Sequence, residues 1–449
     1  MKFKDQISGK ITRFDEKGRG VFDLERPNTP TRPVAVPFTT IGDEVEATFV
    51  KRDKETFVTD LARVISPGPD RIPYASPALD QYPGGLWLHI DYSAQLRFKR
   101  DAINAAFAAA GHDERVGDVI PSPVTTHFRN RMDYAVSWDG KIGLKEFGSW
   151  NRYRDVIEDP LLSDATPKIL NVFKRLMSEF DLKPWDNKKY EGDLRYVMIR
   201  EGKTTGERLV GPIVKDLSRV TEPMKEFLRN ELDGLATSIA LGENPLITDL
   251  SVAQMIEPIK GDGMLRETVN GLTYTIHLNS FFQTNPGVAG ILQKKVADYA
   301  MASHPARVLD LYCGLGFLGI YVAHEYPNVR VAGFEMDAQA IELAKENAKA
   351  NNVADRTEFT SGPAEGLSWK DVPADVIILD PPRAGLHPRA LKAVMEKKPK
   401  EIVYVSCNFH NLVKDLVHLK SLYRIESLEA ADMFPHTPHV EVVTKLILK

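Results

Sequence analysis

A glycine-rich turn between a buried strand and a helix constrains the fold of this chain more than any other feature. Residues 310–319 read Asp-Leu-Tyr-Cys-Gly-Leu-Gly-Phe-Leu-Gly, with the spacing G-x-G-x-x-G at Gly314, Gly316 and Gly319. Glycines there let the backbone approach a ligand where a side chain would collide. The next predicted strand ends at Glu335, whose carboxylate can accept hydrogen bonds from ribose hydroxyls. NAD sites and S-adenosylmethionine sites both use this arrangement, so the turn alone leaves the cofactor class open.

Predicted strands and helices alternate on both sides of this turn. From about residue 278 the strand-like runs are RVLDLY, VRVAGFE, RTEFTS, DVIILD, EIVYVS and VEVVTKLIL. Asn285 with Pro286, and Asp337, have the residue types that begin helices. The alternation predicts an α/β domain over residues 277–449, with a mostly parallel sheet covered by helices on both faces.

Two smaller domains are predicted before it. Residues 1–66 contain about five short strands and predict a small β-barrel, which often binds nucleic acid; a docking or structural role is the alternative. A Pro-rich linker, SPGPDRIPYASP, follows at 66–77. Residues 67–276 predict a central α+β domain with a hairpin over 127–147. A helix near 93–111 can pack on the C-terminal domain.

Composition excludes several classes of protein. The chain has 58 Lys+Arg and 62 Asp+Glu, a net charge of −4, so any nucleic-acid site must be a local basic patch. Its two cysteines are too few for a disulfide scaffold or for a cluster held by four thiolates. No run approaches the ~20 apolar residues of a membrane-spanning helix, and none near the start resembles a secretory signal. We therefore expect a soluble, cytoplasmic protein.

Reactive side chains follow the predicted strands. Asp380 ends the fourth strand of the α/β domain, and Cys407 follows the fifth. Because the carboxyl ends of parallel strands meet at one edge, both are expected in the same cleft, where a thiolate could add to an electron-poor carbon. Glu441 opens the last strand and, if desolvated, could remove a proton from a carbon acid; His439 is predicted to share its face of the strand.

Simpler interpretations of these residues stay open at this point. Asp380 could cap a helix, Cys407 could be a packing residue, and Glu441 could be a solvated edge carboxylate. A metal site from His436, His439 and Glu441 is disfavoured, because the neighbouring prolines would splay the ligands. No metal is predicted.

Taken together, the motifs resemble the RNA uracil-C5 methyltransferase family. Its three signature segments are similar to DPPRAG at 380–385, YVSCN at 404–408 and DMFPHTPHVE at 432–441, in the same order. NSFFQTN at 279–285 and HFRNRMDY at 127–134 are similar to two further stretches, and residues 1–66 resemble the RNA-binding TRAM barrel of many members. The resemblance therefore spans most of the chain.

The resemblance implies a Rossmann-like class I methyltransferase that methylates uracil C5 in RNA with S-adenosylmethionine. The TRAM-like barrel favours rRNA slightly over tRNA. Cys407 matches the nucleophile and Glu441 the proton acceptor, so Cys407 is expected to have a lowered pKa. The matching cofactor-binding positions are Gln283, Tyr312, Glu335 and Asp380. Arg383, Arg129 and Arg131 are expected to contact the RNA.

The remaining expectations concern partners and cofactors. We expect a monomer with no membrane attachment. The alternative function is an NAD-dependent oxidoreductase, supported by the glycine turn and Glu335 alone. Tyr82, Gly85 and Asp159 stand where members with a four-iron cluster have cysteines, so no iron–sulfur cluster is predicted. Phe409 and Phe317 replace the proline and asparagine that the family usually has at these positions.

Overall fold

The computed structural model describes residues 2–26, 29–149 and 151–449. Contacts between residues divide the chain into two compact units. The first comprises residues 1–99, 145–152 and 434–439, and the second comprises residues 100–144, 153–433 and 440–449.

The first unit contains a six-stranded sheet in the order β1-β5-β6-β4-β3-β2. Its strands are β1 (Gln6–Lys10), β2 (Arg13–Phe14), β3 (Gly20–Arg26), β4 (Thr29–Val36), β5 (Glu44–Asp53) and β6 (Thr56–Ser66). Alternating apolar residues of these strands form a core that includes Phe22, Val34, Val45 and Phe49. Helix α1 (Tyr92–Ala109) follows later in the chain.

A second apolar cluster of the first unit surrounds Trp87. It includes Phe38, Leu86, Ile90 and Ala94. The indole Nε1 of Trp87 donates a hydrogen bond to the carbonyl oxygen of Gly18 at 2.8 Å, which satisfies the one polar atom of this buried side chain.

A seven-stranded sheet in the second unit has the order β13-β12-β11-β10-β7-β8-β9. Its strands are β7 (Arg131–Val136), β8 (Ile142–Lys145), β9 (Tyr153–Asp155), β10 (Leu194–Glu201), β11 (Arg208–Val214), β12 (Ser238–Glu243) and β13 (Met255–Lys260). Helix α2 (Thr166–Glu179) lies between β9 and β10 in the chain, and helix α3 (Glu222–Glu231) lies between β11 and β12. Strands β7 and β8 form the hairpin predicted over 127–147, which is confirmed. Every residue of β10 is buried, as expected for a central strand.

The remainder of the second unit contains the strand–helix alternation predicted from the sequence. Its elements are β14 (Met264–Val269), β15 (Leu272–His277), α4 (Pro286–Met301), β16 (Arg307–Leu311), α5 (Phe317–Glu325), β17 (Arg330–Glu335), α6 (Ala338–Ala350), β18 (Thr357–Ser361), β19 (Val376–Leu379), α7 (Pro388–Lys397), β20 (Glu401–Ser406), α8 (Phe409–Leu419), β21 (Tyr423–Ala431) and β22 (Glu441–Leu448). Strands β16 to β22 form a seven-stranded sheet in the order β18-β17-β16-β19-β20-β22-β21. The α/β fold is confirmed.

The pairing within this sheet explains its shape. Strands β16, β17, β18, β19 and β20 are parallel neighbours, whereas β22 pairs antiparallel with both β20 and β21. Helices α4, α5 and α6 pack against the strands. Because the parallel strands are buried under helices, their sequences are nearly continuous apolar runs, as in VIIL of β19.

Two predicted helix starts are confirmed, and one strand prediction is wrong. The side chain of Asn285 accepts a hydrogen bond from the Val288 N–H at the start of α4, and Asp337 caps α6 in the same way. His439 does not share a strand face with Glu441, because β22 begins only at Glu441. The His439 N–H instead donates to Thr437 Oγ1 at 3.3 Å within a turn.

Among the helices of the described residues, none has the length and apolar character needed to cross a membrane.

Candidate active site

Four of the predicted site residues lie at the carboxyl edge of the α/β sheet. Glu335 is the last residue of β17, while Tyr312, Asp380 and Cys407 directly follow β16, β19 and β20. These strands are adjacent in the order β17-β16-β19-β20. A shared edge of neighbouring parallel strands is where α/β proteins bind ligands. The fold therefore brings these four residues to one crevice.

Glu441 lies at the same edge of the sheet, because it begins β22, which runs antiparallel to β20. In the β20–β22 pair, Ser406 is the partner of Val442. One step further along the antiparallel register, Cys407 is next to Glu441. The Glu441 side chain is 2% exposed, so this carboxyl group is not the solvated edge residue of the simpler interpretation.

The glycine-rich turn has the geometry that the spacing predicts. Gly316 has φ of 78° and precedes α5, and a Cβ atom there would lie only 2.8 Å from Ile320 Cδ1. A Cβ at Gly319 would lie 2.9 Å from Val331 Cγ1, so this glycine lets α5 approach β17. Tyr312, just before the turn, has φ of 66°, a left-handed conformation that non-glycine residues rarely adopt.

Two hydrogen bonds attach Glu335 to the backbone around this turn. Its Oε2 accepts from the Gly314 N–H at 3.3 Å, and its Oε1 accepts from the Asp337 N–H at 3.0 Å. Asp310 lies beneath the turn, where its Oδ2 accepts from the Gly319 N–H at 3.0 Å. The other oxygen of Asp310 is buried and has no hydrogen-bond partner in the structure. The turn thus carries carboxylate oxygens that a polar ligand could use.

Gln283 joins the site from the segment between β15 and α4. Its Nε2 donates to Asp380 Oδ2 at 3.3 Å. The adjacent Phe282 is buried and packs its ring against Phe317 with 5.3 Å between ring centroids. Phe317 is the residue at the usual asparagine position, and it contributes here to the apolar layer below the segment.

The site concentrates carboxyl groups in a buried environment, which shifts their acidity. Burial raises the pKa of Asp310 to about 8, and the charge of Asp380 acts in the same direction. Burial also raises the pKa of Asp380, and burial together with the Asp380 charge raises the pKa of Glu441 well above its ordinary value. A site of this kind favours protonated carboxyl groups or a bound cation.

The expected lowering of the Cys407 pKa is wrong. Burial raises the pKa of the Cys407 thiol to about 12, and the charges of Glu441 and Asp380 add to that effect. The charge of Arg383 acts in the opposite direction. The lowered pKa is expected from the role of a nucleophile, but a sequence motif carries no information about the two carboxyl groups that the fold places around the thiol.

A cluster of polar residues missed by the sequence analysis fixes the loop after β19. The carbonyl oxygen of Arg383 accepts from Asn408 Nδ2 at 3.1 Å and from Asn411 Nδ2 at 2.7 Å. The buried carboxylate of Asp415 accepts from the Leu386 N–H at 3.0 Å and from the Tyr404 hydroxyl at 2.5 Å. The signal for Asp415 was a lone acidic residue among the apolar positions of α8.

The arginines predicted to contact RNA lie in different surroundings. The Arg383 side chain is exposed at the site. Arg129 and Arg131 lie at the start of β7, where Arg129 Nε donates to the Arg131 carbonyl oxygen at 3.3 Å. The Arg131 guanidinium forms an ion pair with Asp133 at 2.8 Å. Their role toward RNA stays a prediction.

Asp159, which stands where family members with an iron–sulfur cluster have a cysteine, is a buried hydrogen-bond acceptor. Asp159 accepts from the hydroxyl of Tyr134 and from the N–H groups of Leu161 and Leu162, at 2.8 and 3.0 Å for the latter two. Cys313 is buried beneath the glycine-rich turn. Within the described part of the chain, no three His, Cys, Asp or Glu side chains are grouped so as to hold a metal ion.

Comparisons with known proteins point to one family. A family model described as tRNA (uracil-5-)-methyltransferase matches residues 262–449. The tRNA (uracil(54)-C(5))-methyltransferase of Pyrococcus horikoshii is 36% identical over 449 residues, covering 98% of this chain and 100% of that protein. The 23S rRNA (uracil(747)-C(5))-methyltransferase of the same organism is 32% identical over 443 residues, covering 98% and 99%.

A solved structure agrees with these relatives. The crystal structure of Pyrococcus abyssi tRNA (uracil-54, C5)-methyltransferase, in complex with S-adenosyl-L-homocysteine, superposes with a TM-score of 0.81 at 34% identity. The match covers 98% of this chain and 99% of that one. This agreement favours the methyltransferase prediction over the oxidoreductase alternative. The chain belongs to the tRNA (uracil-5-)-methyltransferase family, the RNA uracil-C5 methyltransferases that its motifs resemble.

Proposed function

We propose that this protein methylates C5 of uracil in RNA through a covalent adduct between Cys407 and C6 of the base, with S-adenosylmethionine as the methyl donor. The observation that carries the proposal is the register of β20 and β22, which makes Cys407 and Glu441 neighbours at the ligand edge of the sheet. The family supports the reaction class, and the carboxylates around the glycine-rich turn suit a cationic methyl donor.

The residues that would hold the donor line the crevice from one end to the other. Glu335 and Tyr312 flank the glycine-rich turn, and Asp380 with its partner Gln283 lies nearer to Cys407. The unpartnered buried oxygen of Asp310 and the open space beside Gly314, where a Cβ would meet nothing within 4 Å, fit a polar ligand that approaches the backbone. When bound, S-adenosylmethionine supplies an electrophilic methyl group and a positive charge.

The chemistry of uracil requires a nucleophile before methylation. C5 is a weak nucleophile, so the Cys407 thiol first releases its proton to solvent, and its sulfur then adds to C6 and moves an electron pair toward C5 and O4. C5 then takes the methyl group, with S-adenosylhomocysteine as the second product. Glu441 accepts the proton from C5, and the C6–S bond breaks to restore the ring. A positioned general base of this kind contributes ~10²–10⁴-fold to the rate.

The acidity of the site agrees with this order of events. In the free protein burial, and after it the charges of Glu441 and Asp380, raise the pKa of the Cys407 thiol to about 12 and so keep it protonated. A bound cation would stabilise both the thiolate and the ionised form of Glu441, because opposite charges within a few ångströms favour ionisation. We therefore propose that the bound methyl donor makes Cys407 more reactive.

The RNA must present the target base outside a stacked helix. Flipping a nucleotide into a pocket costs a few kcal/mol, which contacts to the surrounding backbone must offset. We assign these contacts to the TRAM-like residues 1–66 and to Arg129, Arg131 and Arg383. The preference for rRNA stays a prediction. Since relatives named for tRNA and for 23S rRNA both align with nearly the whole chain, the test must offer both RNAs.

Transfer of a labelled methyl group to RNA tests the proposal. Wild-type protein should label C5 of a uridine in a tRNA or a 23S rRNA transcript, and nucleoside analysis identifies the product and the preferred RNA. Cys407→Ala should abolish labelling yet bind S-adenosylhomocysteine in calorimetry. Undiminished labelling by this variant would disprove the covalent mechanism. Binding of NADH in place of S-adenosylhomocysteine would restore the oxidoreductase alternative.

A further inference from the structure

Two buried arginines on β10 bind backbone carbonyl groups instead of carboxylates. Arg195 and Arg200 are each 1% exposed. Among the ion pairs of the described residues neither arginine takes part, although burying a guanidinium group is costly. Burial lowers the pKa of Arg200 well below its usual value. The free-energy cost of burying a guanidinium group suggests a role for each arginine. The two arginines bind different segments of the backbone.

Arg200 holds the segment that enters the active site. Its Nε donates to the Leu278 carbonyl oxygen at 2.9 Å, and its Nη2 donates to the Ser280 carbonyl oxygen. Leu278 and Ser280 lie between β15 and α4, a few residues before Gln283. The planar guanidinium group places two N–H donors in a fixed relation, so it can fix two carbonyl groups of one short segment together.

A second attachment holds the other side of Gln283. Asn130 Nδ2 donates to the Gln283 carbonyl oxygen at 2.9 Å, and the Asn130 N–H donates to the Thr284 carbonyl oxygen at 2.8 Å. The Asn130 carbonyl oxygen in turn accepts from the N–H of Glu201, the residue after Arg200 on β10. Arg200 of β10 and Asn130, which directly precedes β7, therefore bind the backbone before and after the Gln283 side chain.

The Gln283 side chain contacts Asp380 in the loop after β19. Its Nε2 reaches Asp380 Oδ2 at 3.3 Å, across 97 residues of sequence. The segment has no regular secondary structure between Asn279 and Asn285, and its turn hydrogen bond, from the Ser280 N–H to the His277 carbonyl oxygen at 3.0 Å, lies before Gln283. External partners define where the Gln283 amide lies. Arg200 and Asn130 bind the backbone on either side of Gln283. Arg131 Nη1 also donates to the Ser280 carbonyl oxygen at 3.4 Å, and the Asn279 side chain hydrogen-bonds to the Ala253 backbone.

We propose that Arg200 is a positioning residue, which acts through the segment 278–283 to set the place of the Gln283 amide beside Asp380. The proposal rests on the proposed function, because it concerns the same reaction. A misplacement of about 1 Å at a reacting site can cost ~10²-fold in rate. Arg200→Lys keeps the charge but loses the planar pair of donors, and we expect it to lower kcat/KM for RNA methylation about 10- to 100-fold.

Arg195 provides a matched control on the same strand. Its guanidinium group donates to the carbonyl oxygens of Asn244, Leu246 and Thr248, and its cation lies 4.5 Å from the ring centroid of Trp185. None of these residues belongs to the active site. Arg195→Lys should therefore lower the Tm by about as much as Arg200→Lys does, while kcat/KM stays within about twofold of wild type.

A double-mutant cycle separates positioning from general destabilisation. kcat/KM and Tm are measured for wild type, Arg200→Lys, Gln283→Ala, the double variant and Arg195→Lys. If Arg200 acts through Gln283, the double variant is no slower than Gln283→Ala alone. Losses that multiply in the double variant, or an equal loss in Arg195→Lys, would overturn the inference. If Arg200→Lys does not fold, Asn130→Ala is put through the same cycle.

The cycle also distinguishes this inference from the proposed function. Methylation of uracil by wild type, with no activity in Cys407→Ala, upholds the function whatever the result for Arg200. If wild type is active and the losses in kcat/KM of Arg200→Lys and Gln283→Ala multiply in the double variant, only the positioning role is rejected. A wild-type protein that methylates no uridine rejects the function and the role together.

Discussion

Cys407 and Glu441 are neighbours across the antiparallel strands β20 and β22, although 33 residues separate them in the chain. The register that pairs Ser406 with Val442 belongs to the core of the sheet, where every residue of β20 is buried. Cys407 is the first residue after β20 and Glu441 is the first residue of β22, so the paired ends of two buried strands anchor the thiol and the carboxyl group. Groups held on regular elements keep their geometry better than groups held on loops.

Removal of the Glu441 charge should stop the reaction after methyl transfer. In Glu441→Gln, Cys407 can still add to C6 and C5 can still be methylated, but the amide cannot accept the C5 proton. The covalent protein–RNA adduct should therefore accumulate. Denaturing gel electrophoresis of the protein with labelled RNA and S-adenosylmethionine should reveal a slow band.

The control for this experiment is the Glu441→Gln, Cys407→Ala double variant, which should give no slow band. A double variant that still forms the adduct would mean that another residue is the nucleophile. Rapid turnover without an adduct in the single variant would remove Glu441 from the role of base.

The same substitution should make the free thiol more reactive. Burial and, after it, the charges of Glu441 and Asp380 together raise the pKa of Cys407 to about 12, so Glu441→Gln should lower that pKa. Below its pKa, the thiolate fraction of a thiol rises tenfold per pH unit. We expect iodoacetamide to alkylate Cys407 at a rate that still increases through pH 9 in both proteins, and faster in Glu441→Gln at every pH at which Glu441 is ionised.

Cys313 is replaced by alanine in both proteins of that comparison, so that only one thiol is measured. Mass spectrometry then follows the modified fraction with time. A rate that levels off near pH 7 in the absence of ligands would contradict the raised pKa.

Asp310 should make the folded protein less stable as the pH rises. Burial raises its pKa from 3.8 to about 8, so the folded chain keeps a proton that the unfolded chain releases. From about pH 4 to about pH 8 this single group lowers the free energy of unfolding by about 1.4 kcal/mol per pH unit. Asp310→Asn lacks this slope and can still accept the Gly319 N–H.

Urea denaturation at pH 5, 6, 7 and 8 measures the effect as the difference between wild type and Asp310→Asn. The variant should gain stability relative to wild type at each step. A difference that stays constant over this range would show that Asp310 is ionised in the folded protein.

Loss of the Asp415 carboxylate should destabilise the protein and loosen the loop after β19. Asp415→Ala leaves the Leu386 N–H and the Tyr404 hydroxyl without their acceptor in a buried place. An unsatisfied buried polar group costs about 1–3 kcal/mol, so the free energy of unfolding should fall by about 2–5 kcal/mol. kcat should also fall, because the same loop carries Asp380 and Arg383.

Lys414→Ala is the control on the same helix. Lys414 is exposed, and surface substitutions change stability by no more than about 0.5 kcal/mol. If Asp415→Ala matches Lys414→Ala in denaturation and in turnover, the loop does not depend on this carboxylate.

The sequence by itself determined the features that depend on neighbouring residues in the chain. Apolar runs of β16 to β20 predicted the strands, and Asn285 and Asp337 predicted helix starts, because strand periodicity and capping are local properties. The motifs around Asp380, Cys407 and Glu441 predicted the chemistry for the same reason. The strand prediction at His439 was wrong because a turn at Thr437, also a local feature, was not recognised.

Only the tertiary structure decided how distant groups affect one another. The raised pKa of Cys407 depends on burial and on the charges of Glu441 and Asp380, none of which is adjacent in sequence. The hold of Arg200 on Leu278 joins residues 78 positions apart. Strand register and burial set these distances and the local dielectric environment, and both arise from packing of the whole unit rather than from any short stretch of residues.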